Sequence, residues 1–375
     1  MSYVYREVIE AGDLLLRRPR ATDAPEVARA LDDPEAVRFL PTVPIPMTAA
    51  FAEDWASPDS NAQLEAAGGV RFVATDRRTG DLLGAVSLQR AQADRAQADR
   101  AQAETGYWVA PWARGKGVGT AAVGAVAAAG FEAGLARIEL CAEWENVGSQ
   151  KVALGAGFRR EGVRRSAALS RDGDTRHDLI AFVRLASDSG DPVPPGLPPL
   201  PGGQLTDGAV TLRPQRTQDA ADLLALFTLP EVAETNFGDA EVTLANMTAK
   251  AAHVGSLWLA GDRADMTILD AATGEFAGDI GFYYFMRGLQ EGMIGYSLRR
   301  EFRGRGFASR AADLVARWAF EEAGVARVIA GTDPRNIASQ KVLERAGFER
   351  EAHMRHRLPG PDGTRLDDIQ WVRLP

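Results

Sequence analysis

The sequence predicts two copies of one α/β layer domain, each a sheet flanked by helices, and three observations carry that expectation. At 375 residues, and roughly 100 to 200 residues per domain, the chain should hold two or three domains. A proline-rich segment interrupts it near the middle. The stretches on either side of that segment repeat one another.

The interruption is Ser187 to Gly203, SDSGDPVPPGLPPLPGG, with prolines at 192, 194, 195, 198, 199 and 201. Proline fixes φ and lacks an N–H, so neither a helix nor a central strand can run through such a stretch. It is expected to be a linker over residues 187–207, between an N-terminal domain of residues 1–186 and a C-terminal domain of residues 208–375. Either part is long enough to bury a core of its own.

The repeat is visible at an offset of 189 to 196 residues. Leu16-Arg17-Arg18-Pro19 recurs as Leu212-Arg213-Pro214, and Pro34-Glu35 as Pro230-Glu231. Gly106-Tyr107 precedes Arg114-Gly-Lys-Gly-Val-Gly119 just as Gly295-Tyr296 precedes Arg303-Gly-Arg-Gly-Phe-Ala308. From Asn146 to Phe158 against Asn336 to Phe348, 8 of 13 positions are identical. A period this long means duplicated domains rather than solenoid units.

Each copy reads as strand, one or two helices, a meander of strands, a long helix, a strand, a short helix and two strands. In the first copy Val70–Thr75 and Leu82–Leu88 alternate as strands across a Gly80-Asp81 turn, with Thr105–Ala110 the next strand. The period then changes. Thr120–Gly134 is an Ala-rich helix, Arg137–Ala142 a strand, Val147–Leu154 a helix stopped near Gly157, and Leu179–Leu185 a last strand. Between Arg90 and Glu104 the units RAQAD, RAQAD and RAQAE follow one another. Arginines five apart do not share a helix face, so the repeats have no apolar side to bury and should form an expanded hairpin loop in solvent.

Composition narrows the function classes. With 45% hydrophobic and 25% charged residues the chain is ordinary globular material. Ala121 to Phe131, its most apolar stretch, falls well short of the roughly 20 residues that span a bilayer. The N-terminal residues MSYVYREVIEAGD carry charge where a signal peptide is apolar, so a cytoplasmic protein without a membrane partner is expected. One cysteine, Cys141, rules out a disulfide framework. Four scattered histidines, with His353-x-x-His356 the one metal-like spacing, predict no metal site. A net charge of −8 argues against a nucleic-acid partner.

The chemistry lies in the glycine loops. Arg114 to Gly119 follows a strand and opens a helix, so backbone N–H groups and the positive end of the helix dipole converge there. Gly115, Gly117 and Gly119 would let a phosphate approach without a Cβ in the way. R-x-x-G-x-[GA] alone is weak evidence. Here both copies place it between the same strand and helix, and each precedes N-x-x-S-Q-K-V by 32 or 33 residues. The phosphate-loop pattern G-x-x-x-x-G-K-[ST] is absent. A dinucleotide fingerprint would need an acid at the next strand, where Glu139 has Ile329 as its counterpart.

Together, R-x-x-G-x-[GA] after a Gly-Tyr strand, N-x-x-S and Gly-Phe resemble the GNAT (Gcn5-related) N-acetyltransferases, and most closely their RimJ/RimL-like branch. The resemblance covers both domains almost end to end. It implies two tandem domains, each a mixed, mostly antiparallel, splayed sheet flanked by helices, with acetyl-CoA as cosubstrate. The implied cofactor contacts are Val109, Arg114, Gly115, Lys116, Gly117, Val118, Gly119, Thr120 and Asn146. In the second copy they are Leu298, Arg303, Gly304, Arg305, Gly306, Phe307, Ala308, Ser309 and Asn336. A strand amide near Val109 or Leu298 would stabilise the thioester oxyanion. Ser149 and Ser339 would hydrogen-bond or protonate the leaving thiolate.

The acceptor amine must be neutral to attack, which at pH 7 costs about 1 kcal/mol for an α-amine and about 4.6 kcal/mol for a lysine-like amine. A carboxylate base helps most in the second case. Glu104, at the start of the strand before the loop, is the candidate, with a surface loop at the end of the RAQA repeats as the competing reading. In the second copy that position is Met293, and Glu291 would point to the same strand face. Asn146 and Asn336 also read as N-caps of the following helix. Tyr107 and Tyr296 read as strand core residues. The expected acceptor is a small-molecule amine in preference to a peptide N-terminus. The alternative is a non-catalytic or half-active protein that binds CoA for sensing or scaffolding. Docking of the tandem domains as a pseudo-dimer is left open by the sequence.

Overall fold

A computed structural model of the chain describes residues 5–90, 101–171, 173–234, 241–360 and 363–375. Contacts divide the chain into two compact units, Met1–Pro194 and Pro195–Pro375.

The first unit runs β1 (Val8–Ala11), β2 (Leu14–Arg17), α1 (Ala24–Leu31), α2 (Pro34–Arg38), α3 (Ala49–Ala56), α4 (Pro58–Ala66), β3 (Val70–Asp76), β4 (Leu82–Arg90), β5 (Gln102–Val109), α5 (Val118–Glu132), β6 (Arg137–Glu143), α6 (Val147–Gly155), β7 (Arg159–Leu169) and β8 (Arg176–Leu185). Its strands form one sheet in the order β1-β2-β3-β4-β5-β6-β8-β7, in which β5–β6 is the parallel pair. Asp33, Thr48 and Ser57 each accept from a backbone N–H in the first turn of α2, α3 and α4, so the N-terminal ends of these short helices have their donors met. The helices before β3 number four, against the one or two expected.

The second unit repeats the plan: β9 (Leu205–Thr206), β10 (Val210–Pro214), α7 (Ala220–Phe227), α8 (Pro230–Ala233), α9 (Leu244–Ala260), β11 (Arg263–Asp270), β12 (Phe276–Met286), β13 (Glu291–Leu298), α10 (Phe307–Glu321), β14 (Arg327–Thr332), α11 (Ile337–Arg345), β15 (Glu349–Pro359) and β16 (Arg365–Arg373). Its sheet order is β15-β16-β14-β13-β12-β11-β10-β9, with β13–β14 parallel. The layered fold of one mixed, mostly antiparallel sheet flanked by helices is therefore present twice.

The long helix after the glycine loop packs differently in the two units. On α5 the buried side is almost all small: Ala122, Val123, Val126, Ala127 and Gly130. A Cβ on Gly130 would lie 2.9 Å from Leu135 and 3.0 Å from Leu88, so the helix approaches the sheet too closely for a larger residue there. On α10 the corresponding side holds Phe307, Leu314, Val315 and Trp318. Trp318 meets Trp258 and Phe282, each with ring centroids 5.6 Å apart.

Several boundaries differ from the sequence expectation for identifiable reasons. The loop glycines start α5 at Val118 rather than Thr120, because Gly117 (φ +78°) is itself the N-cap. Strand β5 begins at Gln102, three residues early, so the last RAQA unit belongs to the ladder up to Arg90↔Ala103. Residues 91–100, the remainder of the expected hairpin loop, lie outside the described residues. The proline-rich segment is built into the units at both ends. Val193 N donates to Leu154 O (2.9 Å) in the first unit. In the second, Leu197 and Leu200 are buried and Trp258 Nε1 donates to Pro198 O (2.8 Å). Prolines lack donors but keep carbonyls and apolar rings, which is enough to cap and cover a core edge. Among the described residues no helix is long and apolar enough to cross a membrane.

Candidate functional site

The sheet opens at the centre of each unit. Strand β5 pairs with β6 only at Gln102↔Arg137, Ala103↔Ile138 and Glu104↔Glu139, and β13 with β14 only at Glu291↔Arg327, Gly292↔Val328 and Met293↔Ile329. Beyond these pairs the parallel neighbours part. Ala110 N bonds to Leu83 O across β4 (2.9 Å), and backbone groups alternate along a strand, so the amides of Tyr107 and Val109, beyond the last pair with β6, face the gap. In the second unit Arg299 N bonds to Ala277 O (2.9 Å), which turns the amides of Tyr296 and Leu298 toward the gap in the same way.

In the first unit the gap widens into a cleft of about 560 Å³ lined by Glu104, Tyr107, Trp108, Val109, Arg114, Gly115, Gly117, Val118, Gly119, Thr120, Cys141, Asn146 and Ser149, among others. Of the residues expected there, Lys116 is outside the lining; its Nζ donates to Trp112 O (2.9 Å). The first bond from α5 back to the loop runs from Ala121 N to Gly117 O (3.0 Å), which leaves the amides of the preceding residues as helix-start donors. Gly115 (φ +72°) and Gly117 (φ +78°) are glycine for their backbone conformation, with open space where a Cβ would stand. Gly119 is glycine for packing: a Cβ would lie 3.1 Å from Tyr107, 3.2 Å from Val152 and 3.3 Å from Val109. Packing thus gives Gly119 a reason to be glycine that the sequence does not show, while it still lines the cleft. The Arg114 guanidinium is held by Asp33 and by Glu35 (2.8 Å), so the loop's anion-binding capacity rests on its backbone amides.

Glu104 lies in β5 and lines this cleft, open to it but surrounded by protein. Its pKa is raised, first by desolvation and then by the adjacent Glu139 carboxylate, with Arg164 opposing. Glu139 is buried and bonded to Arg164, and Cys141 Sγ lies 3.7 Å from its Oε1. Burial and the Glu139 and Glu104 charges push the Cys141 thiol up to about 12, which leaves it a neutral wall of the cleft. Sequence reading missed Arg164 and the pairing with Glu139, because both depend on strand register across tens of residues.

Tyr107 and Ser149 approach the gap from the other side of the sheet, since residues 104 and 107 differ by an odd number along one strand. Asn146 caps α6 by accepting from Ser149 N (2.9 Å). Tyr107 is hydrogen-bonded to Ser149, and burial pushes its phenol up to about 12. Tyr296 repeats this with Ser339, Oη to Oγ 2.8 Å, again near 12 through burial, while Asn336 accepts from Ser339 N (3.0 Å). Both tyrosines were read from the sequence as strand core. They are half-buried strand residues, Tyr296 packing against the core, and they also line the clefts and hold the serine hydroxyls.

The second unit's cleft, about 920 Å³, is lined by Asn336, Ser339, Tyr296, Tyr283, Asp279 and Phe227, among others; Leu298 and the loop 303–309 are outside that lining. The loop itself has the same form, with Gly304 (φ +74°) and Gly306 (φ +83°) before α10. Arg303 is bonded to Glu231 (2.7 Å) and to Leu298 O, and Arg305 to Asp270 (2.9 Å), so here too the side-chain charges are met. Phe307 and Ala308 are buried. Ser309 Oγ is buried without a hydrogen-bond partner among the described residues. Glu291 lies at the start of β13 against Arg327 (2.9 Å) and is not among the lining residues, which removes it as a base. Asp279 was missed by sequence reading, although an acid inside the apolar run FAGDIGF is a legible signal.

Among the described residues no cluster of three or more His, Cys, Asp or Glu could hold an ion. His353 Nε2 instead meets Asp367 (2.8 Å), whose other oxygen accepts from His356 N (2.9 Å).

Comparison with known proteins follows the same division. The family model "Acetyltransferase (GNAT) domain" matches residues 13–159 and again residues 209–349. Among curated proteins, the chain is 39% identical over 85 residues to the probable N-acetyltransferase YjcK of Bacillus subtilis (strain 168), covering 22% of this chain and 47% of that protein. It is 29% identical over 150 residues to the uncharacterized N-acetyltransferase p20 of Bacillus licheniformis, covering 39% and 82%. The chain thus spans about half the length of YjcK and most of p20. Among solved structures, Mycobacterium smegmatis RimJ in complex with CoA-disulfide is 21% identical with a TM-score of 0.42, over 48% of this chain and 90% of that one. The acetyltransferase (GNAT family) from Bacillus anthracis is 18% identical with a TM-score of 0.40, over 46% and 98%.

Proposed function

Since the chain belongs to the GNAT acetyltransferase family, with its domain present twice, we propose that it is an acetyl-CoA-dependent N-acetyltransferase that moves an acetyl group to a primary amine by direct attack. The observation that carries this reading is the opened sheet. Unpaired strand amides, the helix-start loop, Glu104 and the Tyr107–Ser149 pair converge on one cleft in the first unit.

Acetyl-CoA, when bound, supplies an activated acyl carbon as a thioester. The amides that start α5 would hold its anionic end. The gap-facing amide of Val109, or Leu298 in the second unit, would donate to the oxygen that becomes negative during attack. Glu104 would take the amine's proton, and its raised pKa makes it a stronger base than an ordinary carboxylate. Ser149, held by Asn146 and Tyr107, would donate toward the departing sulfur from the opposite face. Entry of the amine and departure of the thiolate are then on different sides of the sheet, so the two proton transfers do not compete for one place.

The acceptor is proposed to be a small primary amine in preference to a peptide N-terminus, and the protein a cytoplasmic member of the RimJ/RimL-like branch. A half-active reading has one observation behind it: Met293 and Ile329 stand where the first unit has Glu104 and Glu139. The test is release of CoA thiol from acetyl-CoA by purified protein across a panel of amines and peptides. Release only when an acceptor is present, rising with pH, is expected. Acetyl-CoA binding without transfer to any acceptor would overturn the enzymatic reading.

A further inference from the structure

Strand β12 carries one acid in an apolar run, Gly278-Asp279-Ile280-Gly281-Phe282. Asp279 pairs with Ser297 of β13 on one side and Thr267 of β11 on the other, so it stands beside the strand that opens the second sheet. The residue is 7% exposed and still lines the 920 Å³ cleft, with Tyr296 and Ser339 among its other walls. Its Oδ2 faces Lys250 Nζ of α9 at 3.7 Å. Its Oδ1 is buried with no hydrogen-bond partner among the described residues. The neighbouring buried acid, Asp265, has its Oδ1 bonded to Arg263 (2.6 Å), while its Oδ2 is also without a hydrogen-bond partner among the described residues.

A buried carboxylate oxygen without a donor is costly, and the groups around it do not supply one. A donor arriving through the cleft would. The first unit has no such group at this place, because the residue that pairs with Trp108 as Asp279 pairs with Ser297 is Ala85.

We propose that the second cleft binds a protonated primary alkylamine whose ammonium donates to Asp279 Oδ1, and that Asp279 takes one proton from it to free the nitrogen lone pair, which then attacks. The catalytic part rests on the acetyltransferase reading above. In that step the nitrogen lone pair forms the C–N bond to the acetyl carbon and the C–S bond breaks. Of the two protons that the ammonium loses, one passes through Asp279 to solvent and the other ends on the CoA thiol. Facing Asp279 are Lys250 from α9, Arg263 and Asp265 from β11, and Tyr283 from its own strand. Burial raises its pKa, Lys250 lowers it, Asp265 raises it and Arg263 lowers it, with the balance at about 6. At neutral pH the group is therefore ionised and ready to accept a proton.

The test uses the full chain with n-butylamine as probe. Selectively ¹³C-carboxyl-labelled aspartate, with the Asp279 signal assigned by its loss in Asp279→Asn, is titrated with and without n-butylammonium at fixed ionic strength. The expected midpoint is near 6, moved lower by the ammonium because a cation favours the charged carboxylate. A midpoint that n-butylammonium does not move overturns the site. Transfer is read separately in a Gly117→Glu background, where the first unit's loop is blocked. Asp279→Asn should lower kcat for acetyl transfer to n-butylamine about 100-fold with acetyl-CoA affinity unchanged, and Asp279→Glu should recover part of the loss. Equal transfer by the Asp279→Asn protein overturns the proton-acceptor role. No transfer in the background protein, with the ammonium-dependent midpoint shift intact, supports the amine site and removes the enzymatic reading of this unit alone.

Discussion

At the point where the first sheet opens, Glu104 lies beside Glu139 with Arg164 against the pair. At the same point in the second sheet, Met293 lies beside Ile329, and Met354 stands at the register position of Arg164. Three charged residues have become three apolar ones while strand order, register, loop conformation and the Tyr–Ser pair are the same. The fold therefore fixes where a base could stand but not whether one is there. In the second unit the acid is one strand over, at Asp279 where the first has Ala85.

The comparison can be broken most severely at the glycine loops, which the units share. Gly117→Glu and Gly306→Glu each force a non-glycine residue into a positive φ and bring a negative charge to the helix start. Calorimetry with acetyl-CoA should fall from two sites to one in either variant. Two sites retained in both would mean that the loops are turns only.

Next in size is a structural feature common to both units. Arg17 and Arg213 each make paired hydrogen bonds to a buried aspartate, Asp23 and Asp219, at 2.7 and 2.8 Å. Burial raises the carboxyl pKa, but the arginine and backbone N–H bonds outweigh it and hold both below the usual range. A depressed carboxyl pKa stabilises the fold above the unfolded value, and that stability is lost as pH falls through the folded one. Asp23→Ala or Asp219→Ala should cost about 3 kcal/mol in urea unfolding at pH 7, and the difference from the parent should shrink on acidification. Asp219 also accepts from Thr267 Oγ1 (2.9 Å), so its loss should be the greater.

Glu104→Gln should lower turnover in a Gly306→Glu background by about 100-fold, about 2.7 kcal/mol, with acetyl-CoA affinity unchanged. Its effect on stability has the opposite sign. A carboxyl whose pKa is raised in the fold opposes folding once ionised, so the glutamine variant should melt higher than the parent at neutral pH. A lower melting temperature would mean that Glu104 is structural.

Ser149→Ala and Ser339→Ala should each lose about tenfold, confined to their own unit, because the thiolate is already a tolerable leaving group. The smallest effect is expected from deleting one repeat, residues 91–95. The second unit joins β12 and β13 through the short turn Arg287–Leu289, so the fold does not require a long connection there. Loop closure depends weakly on length, and the melting temperature should hardly change.

What the sequence by itself determined is local or repeated. The duplication, the loop glycines with the helices they start, and the Asn caps with Ser in the first turn all lie within short windows or recur in register. Glu104 was singled out by its place at the start of the strand before the loop, and the structure sets it in the cleft. Tertiary structure decided the rest. Glu139 and Arg164 reach Glu104 through strand neighbours 35 and 60 residues away in the chain, and no local pattern encodes a parallel register. For Gly119, contacts with Tyr107, Val109 and Val152 add a packing requirement that the local motif does not show. Asp279 is plain in the sequence as an acid among apolar residues, but its consequence is not. A side chain is costly or useful according to the charged and polar groups around it, and those arrive from α9 and β11 only when the sheet has formed.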